Sequence, residues 1–364
     1  MRKILFMRKT LLVFLLPVLL SCGKDNFKTE NIIDNMKRVA DYELAHLSTH
    51  YSQDDKYNYP NGWVPATFIV SLVPLFEATS DLKYMKEVKN WSSNSQWDCA
   101  PRFRHADDIV CGQVYLDYYR HNKKEVYVNK LKNRMDSLMI TAIPGREDWH
   151  WCDALFMAPP VYMMAGSILK DAAYQDYANE MYWDVHDYLF DKEEALFFRD
   201  DNYFEKRSPN GKKLFWGRGN GWVIGGLARM IPYVMDETFK KKYIELFKIM
   251  SHQIIQQQQE DGLWRSNLLD ADHYPEKETS ASSFFVYALA WGINYGILES
   301  ETYLPHVSKG WNSLCDCIDD ETGMLGWVQP IGAAPGSTSA STTMSYGAGA
   351  FVLAGTEILK LSNN

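Results

Sequence analysis

The run Trp149-His150-Trp151-Cys152-Asp153-Ala154-Leu155-Phe156-Met157-Ala158-Pro159-Pro160 sets one acidic residue at the head of a nearly charge-free apolar segment. Surface helices alternate polar and apolar faces, whereas a helix that is apolar all round is buried. The same design recurs at Gly62-Trp63-Val64-Pro65, His105-Ala106-Asp107-Asp108-Ile109, Arg218-Gly219-Asn220-Gly221-Trp222, Thr279-Ser280-Ala281-Ser282 and Ser345-Tyr346-Gly347-Ala348. Each of these runs leads into a buried helix, and the six helices begin near positions 63, 108, 153, 221, 283 and 348.

Between them lie amphipathic helices at Asn31 to Thr49, Asp81 to Ser92, Lys124 to Ile140, Ala172 to Phe190, Glu237 to Gln259 and Thr302 to Cys317. Apolar residues recur there at helical spacing, as Ile32, Met36, Val39, Ala40, Leu44 and Leu47 do in the first. Six outer and six inner helices in strict alternation close into a toroid, an all-α (α/α)6 barrel spanning 31–364 as one domain. An open solenoid is the competing architecture. It needs polar capping repeats, yet the final segment, Gly347 to Leu361, is among the most apolar in the chain. In a closed barrel the loops before the inner helices share one end. Asp108, Asp153, Arg218, Trp222 and Ser280 then converge. A small hairpin is expected around Pro209-Asn210-Gly211.

The first 22 residues read as a targeting segment. Arg2, Lys3, Arg8 and Lys9 precede an apolar run, Leu11 to Leu20, too short to span a bilayer. Leu19-Leu20-Ser21-Cys22-Gly23 resembles a bacterial lipobox, with Cys22 as the lipidated residue and plain cleavage as the alternative. Residues 23–30 form a short tether. The expectation is an exported protein, a periplasmic or outer-membrane lipoprotein of a Gram-negative bacterium, whose only membrane contact is that anchor. Cys99, Cys111, Cys152, Cys315 and Cys317 are odd in number and match no zinc spacing. They read as free, mostly buried thiols.

The net charge of −8 and the absence of a basic patch argue against nucleic acid. The 12 Trp and 22 Tyr, many beside Gly-rich loops, offer flat faces for sugars as well as core packing. Asp153 could cap its helix. With Trp149 and Trp151 around it, water exclusion would instead raise its pKa. Facing Asp108, it would form a pair that retains a proton near neutral pH, and two such carboxylates are the usual equipment for breaking glycosidic bonds. Trp216-Gly217-Arg218-Gly219-Asn220-Gly221-Trp222 lacks the ending of a phosphate loop. Its Arg is either paired to a structural Asp or a fork for an acidic sugar. His105, His150 and His273 also lie in candidate loops.

Trp151-Cys152-Asp153, Trp216 to Trp222, Asp261-Gly262-Leu263-Trp264, Glu278-Thr279-Ser280 and Tyr346 to Phe351 resemble the unsaturated uronyl hydrolases. In particular they resemble the unsaturated rhamnogalacturonyl hydrolases of glycoside hydrolase family 105, with relatives in family 88. The resemblance implies an (α/α)6 glycosidase that removes a terminal 4,5-unsaturated uronic acid from polysaccharide lyase products of the pectin or rhamnogalacturonan type. It implies Asp153 as the residue that protonates C4, with Asp108 as second carboxylate and Asp107 left as the alternative. It also implies Arg218, Trp222, Trp151 and Trp216 as substrate-binding residues, with His150 and Trp63 beside them. No metal or organic cofactor is implied, and a monomer is expected. Relatives often carry a His before the Arg-Gly-Asn-Gly-Trp run; here Phe197-Phe198-Arg199-Asp200 stands there, so Arg199 takes over part of the substrate contact. Another (α/α)6 exo-glycosidase acting on acidic glycans and a non-catalytic glycan-binding lipoprotein are the competing functions.

Overall fold

The computed structural model describes residues 26–51, 59–143 and 147–363. The expected targeting segment and lipobox lie outside the described residues. Helices follow one another in outer–inner pairs: α1 (Thr29–Tyr51) with α2 (Trp63–Ile69) and α3 (Leu72–Thr79), α4 (Leu82–Asn94) with α5 (Cys111–Asn122), and α6 (Asn129–Ile140) with α7 (Ala154–Met157) and α8 (Pro159–Leu169). Then come α9 (Ala172–Leu189) with α10 (Gly217–Met230), α11 (Glu237–Gln256) with α12 (Thr279–Asn294), and α13 (Ser300–Cys315) with α14 (Ser345–Ser362). The outer helices start on aspartates where the sequence offers them. Asp81, Asp171 and Asp236 each accept a hydrogen bond from a backbone N–H of the first turn.

The inner helices form a ring. α2 packs on α5, α5 on α8, α7 and α8 on α10, α10 on α12, α12 on α14, and α14 back on α2. This is the closed (α/α)6 barrel that the alternation predicts, not an open solenoid. The closing contact depends on Gly349, where a Cβ would run into the backbone carbonyl of Thr67 on α2. Apolar side chains from Ile32 to Leu359 join one continuous core.

Two inner helices are broken where the sequence reads as continuous. The third breaks at Ala158, because Pro159 has no N–H to continue the ladder. The first breaks at Val70–Ser71. One further departure, and one expected turn, involve the chain before α10. Phe190–Asp191 and Leu196–Phe197 pair as antiparallel strands β1 and β2, placing Arg199 two residues beyond the ladder. The turn at Pro209-Asn210-Gly211 also forms, with Gly211 at φ +75° and Arg207 bridged to Lys213.

Candidate active site

All the loops that carry chemistry open at the N-terminal ends of the inner helices. Asp153 sits immediately before α7, yet its side chain makes no capping bond. It is turned away from the helix it precedes. The Cys152 N–H donates to the Arg199 carbonyl at 2.8 Å, tying this loop to the segment after β2. As a result Arg199 Nε lies 3.7 Å from Asp153 Oδ2, while its Nη1 is bonded to Asp200. Burial pushes the Asp153 carboxyl up; the charges of Arg199 and Arg218 oppose the rise. Cys152 is buried and burial raises its thiol pKa, so it is no nucleophile.

The Asp107–Asp108 doublet lies in a short 3-10 turn, Ala106–Ile109, in which neighbouring side chains point in different directions. Asp108 turns inward. Arg102 donates to its Oδ1 from Nε at 2.9 Å and from Nη2 at 2.5 Å, and the Arg102 N–H donates to Oδ2 at 2.7 Å. Asp108 is fully buried and does not reach the pocket. The geometry therefore corrects the assignment of the second pocket carboxylate: the residue on the cavity wall is Asp107. Its Oδ1 is buried with no hydrogen-bond partner. Burial pushes its carboxyl up to about 7, with Arg102 pulling down and Asp153 and Asp108 pushing further up.

The aromatic and basic residues enclose this pair. Trp63, Trp151, Trp216 and Trp222 line the pocket together with Arg199, Arg218, Met157 and Ile331 to Ala333. Trp151 is held between the rings of His105 and His150, at centroid distances of 4.7 and 4.6 Å. His150 itself is exposed, with Nδ1 3.2 Å from the Glu147 carbonyl, and does not reach the cavity; it supports Trp151 from outside. Arg218 is almost completely buried between the faces of Trp216 and Tyr346, at 4.5 and 4.6 Å. Its two terminal nitrogens donate to the carbonyls of Gln329 at 2.7 Å and Pro330 at 2.9 Å. The expected carboxylate clamp is thus also the anchor of the loop that supplies Ile331 to Ala333. Of the two guanidinium groups on the cavity wall, Arg199 is the one at the Asp153 carboxylate.

The pocket measures about 200 Å³, below the ~300–1,000 Å³ of drug-sized sites, and suits a single sugar ring. A larger cavity of about 420 Å³ opens near the opposite ends of the inner helices. Its charged residues are committed to one another, Asp117 bonding both Arg120 and Arg229. Glu77 is paired with Arg120 and Glu357 with Lys360 as well, so every carboxylate there has a cation, and the unpartnered carboxyl oxygen of Asp107 favours the smaller pocket for chemistry.

Tyr346 and Gln329 escaped the sequence reading as site residues. Tyr346 stacks on Trp63 at 5.5 Å and donates to the Gln329 carbonyl at 2.6 Å. The Gln329 side chain accepts from Trp216 Nε1 at 2.9 Å and donates to the Ala334 carbonyl at 2.7 Å. Position 346 lies in the first turn of an apolar helix and opens one of the runs that carry the family resemblance, which were the available signals. Nothing in the Gly- and Pro-rich loop singled out Gln329.

Known proteins resemble this chain in sequence and fold. The model of Glycosyl Hydrolase Family 88 matches residues 35–362. An "Unsaturated 3S-rhamnoglycuronyl hydrolase" of Formosa agariphila is 37% identical over 322 residues, 83% of this chain and 85% of that protein. A solved structure named as glycosyl hydrolase family 88 from Bacteroides vulgatus superposes with a TM-score of 0.83 at 28% identity, covering 91% of this chain and 99% of the other. A chain named as a polysaccharide lyase superposes with a TM-score of 0.84 at 29% identity, covering 92% of this chain and 98% of the other. With the family model covering nearly all of the barrel, and the pocket carrying a carboxylate pair among tryptophans, the chain is a glycosidase and belongs to glycosyl hydrolase family 88.

Proposed function

We propose that the enzyme removes one terminal 4,5-unsaturated uronic acid from lyase-made oligosaccharides and that the sugar released behind it is rhamnose. The observation that carries this reading is the pair Asp107 and Asp153 in one buried pocket of single-ring size. The name of the Formosa relative supports rhamnose as the leaving sugar. It favours a rhamnoglycuronyl product over pectin fragments.

The reaction starts from a proton held by the carboxylate pair. Asp153 delivers it to C4 of the vinyl ether, and positive charge develops at C5 and the ring oxygen. Water adds at C5 and returns its proton to the pair. The hemiketal so formed opens, and the free C1 hemiacetal then expels the second sugar. The indole faces of Trp63, Trp151, Trp216 and Trp222 suit the flattened unsaturated ring. Arg199, beside Asp153 at 3.7 Å, is positioned for the uronate carboxylate.

The test follows ultraviolet absorbance of the conjugated C4=C5 bond on rhamnose-containing and pectin lyase digests, with wild type and Asp153→Asn in parallel. Loss of absorbance with wild type alone supports the reading; activity on saturated uronides would replace it with an ordinary exo-glycosidase. The neighbour named as a lyase gives a second reading. Asp107 or Asp153 would then take the C5 proton while the C4–O bond breaks and its oxygen leaves with a proton on the released sugar, forming C4=C5, so absorbance would rise on intact polymer.

Export and anchoring at Cys22 remain part of the proposal, supported by the basic start and the apolar run before it. Radiolabelled fatty acid incorporation that persists in Cys22→Ala would overturn the anchor.

A further inference from the structure

The Asp107–Asp108 doublet presents one cation with two adjacent carboxylates. Arg102 Nη2 is 2.5 Å from Asp108 Oδ1 and 3.7 Å from Asp107 Oδ2. Asp108 therefore takes the short contacts, two from the fork and one from the backbone N–H of Arg102. The loop bearing this fork is rigid. Arg134 donates to the carbonyls of Ala100, Arg102 and Phe103, and the Ala100 N–H donates to the Asp108 carbonyl at 3.0 Å. A guanidinium that gives two N–H groups to one carboxylate oxygen loses both charge-assisted hydrogen bonds if it moves. Were Asp108 neutral, the strongest partner left nearby would be Asp107, whose Oδ1 has no hydrogen bond.

We propose that Asp108 is a positioning residue of the active site: by engaging the Arg102 fork it holds that guanidinium off Asp107, so that Asp107 can keep the proton it shares with Asp153. This rests on the reading above, in which the pair works with one proton. The charged and titratable groups facing Asp107 are Arg102, His105 and Asp108 from its own loop, Asp153 from the loop before α7, and Arg199 from the segment after β2. Among them Arg102 is a permanent cation, with Nη2 3.7 Å from Asp107 Oδ2, beside the His105 ring at 3.5 Å from the same oxygen, and Asp108 is the group that determines where Arg102 sits. A carboxylate that gains a close cationic partner loses its proton more readily. The buried Arg102–Asp108 pair thus protects the acidity of the site without touching substrate.

The experiment compares pH profiles of kcat/KM and titrates the ¹³C-labelled side-chain carboxyl of Asp107 by NMR, using full-length protein. In Asp108→Asn, the alkaline limb and the Asp107 midpoint should both fall by about one unit or more. The double variant Arg102→Gln/Asp108→Asn removes the mobile cation and should return both toward wild type. Should Asp108→Asn fail to fold, Arg102→Lys serves. Its ammonium cannot span the Asp108 fork, so both readouts should fall by a smaller amount. Limb and midpoint unmoved in the folded single variants would overturn the proposal, as would a double variant that stays shifted. Losing the Asp108 charge by itself also lowers the Asp107 midpoint, so Arg102→Lys, which keeps both charges, separates the two: a merely structural pair would lower the melting temperature there and leave both readouts in place. Asp107→Asn tests the underlying reading separately. If it kept the wild-type profile while the midpoint still fell in Asp108→Asn, the shared-proton reading would fail and the positioning of Arg102 would stand.

Discussion

Arg199 and Asp153 face each other at 3.7 Å because Cys152, between Trp151 and Asp153, donates its backbone N–H to the Arg199 carbonyl. One backbone bond thus sets a guanidinium beside the carboxyl that we propose delivers the proton. The Arg199 charge opposes the rise that burial imposes on Asp153. Its bond to Asp200 keeps it in place. In Arg199→Gln the opposing charge is gone, so the carboxylate pair should hold its proton to higher pH. The alkaline limb of kcat/KM should move upward, opposite to the shift expected for Asp108→Asn. The value of kcat/KM should itself fall about tenfold or more as the uronate loses its partner. An unmoved limb would remove Arg199 from the electrostatics of the pair.

Asp153→Asn should fold as wild type does, because the side chain makes no capping bond and faces the cavity. Its kcat should fall about 10²–10⁴-fold, the usual contribution of a positioned acid or base. Absorbance assays paired with thermal melts check both halves. A low rate accompanied by a collapsed melt would implicate structure rather than chemistry.

Asp107 costs stability in order to serve the site. Its folded pKa of about 7 lies above the ordinary carboxylate value because of burial. The folded state therefore binds the proton more tightly than the unfolded one. The associated stability is fully present below the ordinary carboxylate range and is lost as pH rises through about 7. Asp107→Asn should accordingly raise the melting temperature at about pH 8 far more than at about pH 5, while lowering activity. Equal effects at both pH values would contradict the buried, partly protonated carboxyl.

Arg218→Lys keeps the charge and loses the fork. The Gln329 carbonyl would keep the Tyr346 hydroxyl as donor, while the Pro330 carbonyl would lose the guanidinium N–H that serves it. An unsatisfied buried acceptor costs about 1–3 kcal/mol, so the melting temperature should drop. KM should also rise, because Ile331 to Ala333 line the pocket through this anchor. A raised KM with an unchanged melt would mean that Arg218 acts on substrate alone.

Gly226→Ala should destabilise by about 1–3 kcal/mol or more through overpacking. Its Cβ would run into the Leu155 carbonyl, and Phe156 Cα lies 3.0 Å away, both on α7 next to Asp153. Denaturant unfolding measures the loss.

The barrel was legible because its cause is local and periodic. Six charge-poor segments alternating with six amphipathic ones can bury their apolar surface only as an inner ring within an outer one, and the packing of α14 on α2 completes that ring. Asp153, Trp151, Trp216 and Trp222 were legible for the same reason, since each stands where a loop enters an inner helix. Which of Asp107 and Asp108 faces the cavity was not legible. In a 3-10 turn one residue of rotation reverses inside and outside, and the choice was made by Arg102, six residues away from Asp108. His150 was sent outside by its bond to Glu147, although its neighbours face in. Arg218 read as a fork for a carboxylate, and the fork is real, but its partners are carbonyls more than a hundred residues further along the chain. Periodicity and composition therefore determined the architecture and the entrance at which chemistry would gather. Side-chain direction within that entrance was decided by specific hydrogen bonds, local ones for Asp108 and His150 that no periodicity encodes, and for Arg218 bonds to a distant loop that exist only once the ring has closed.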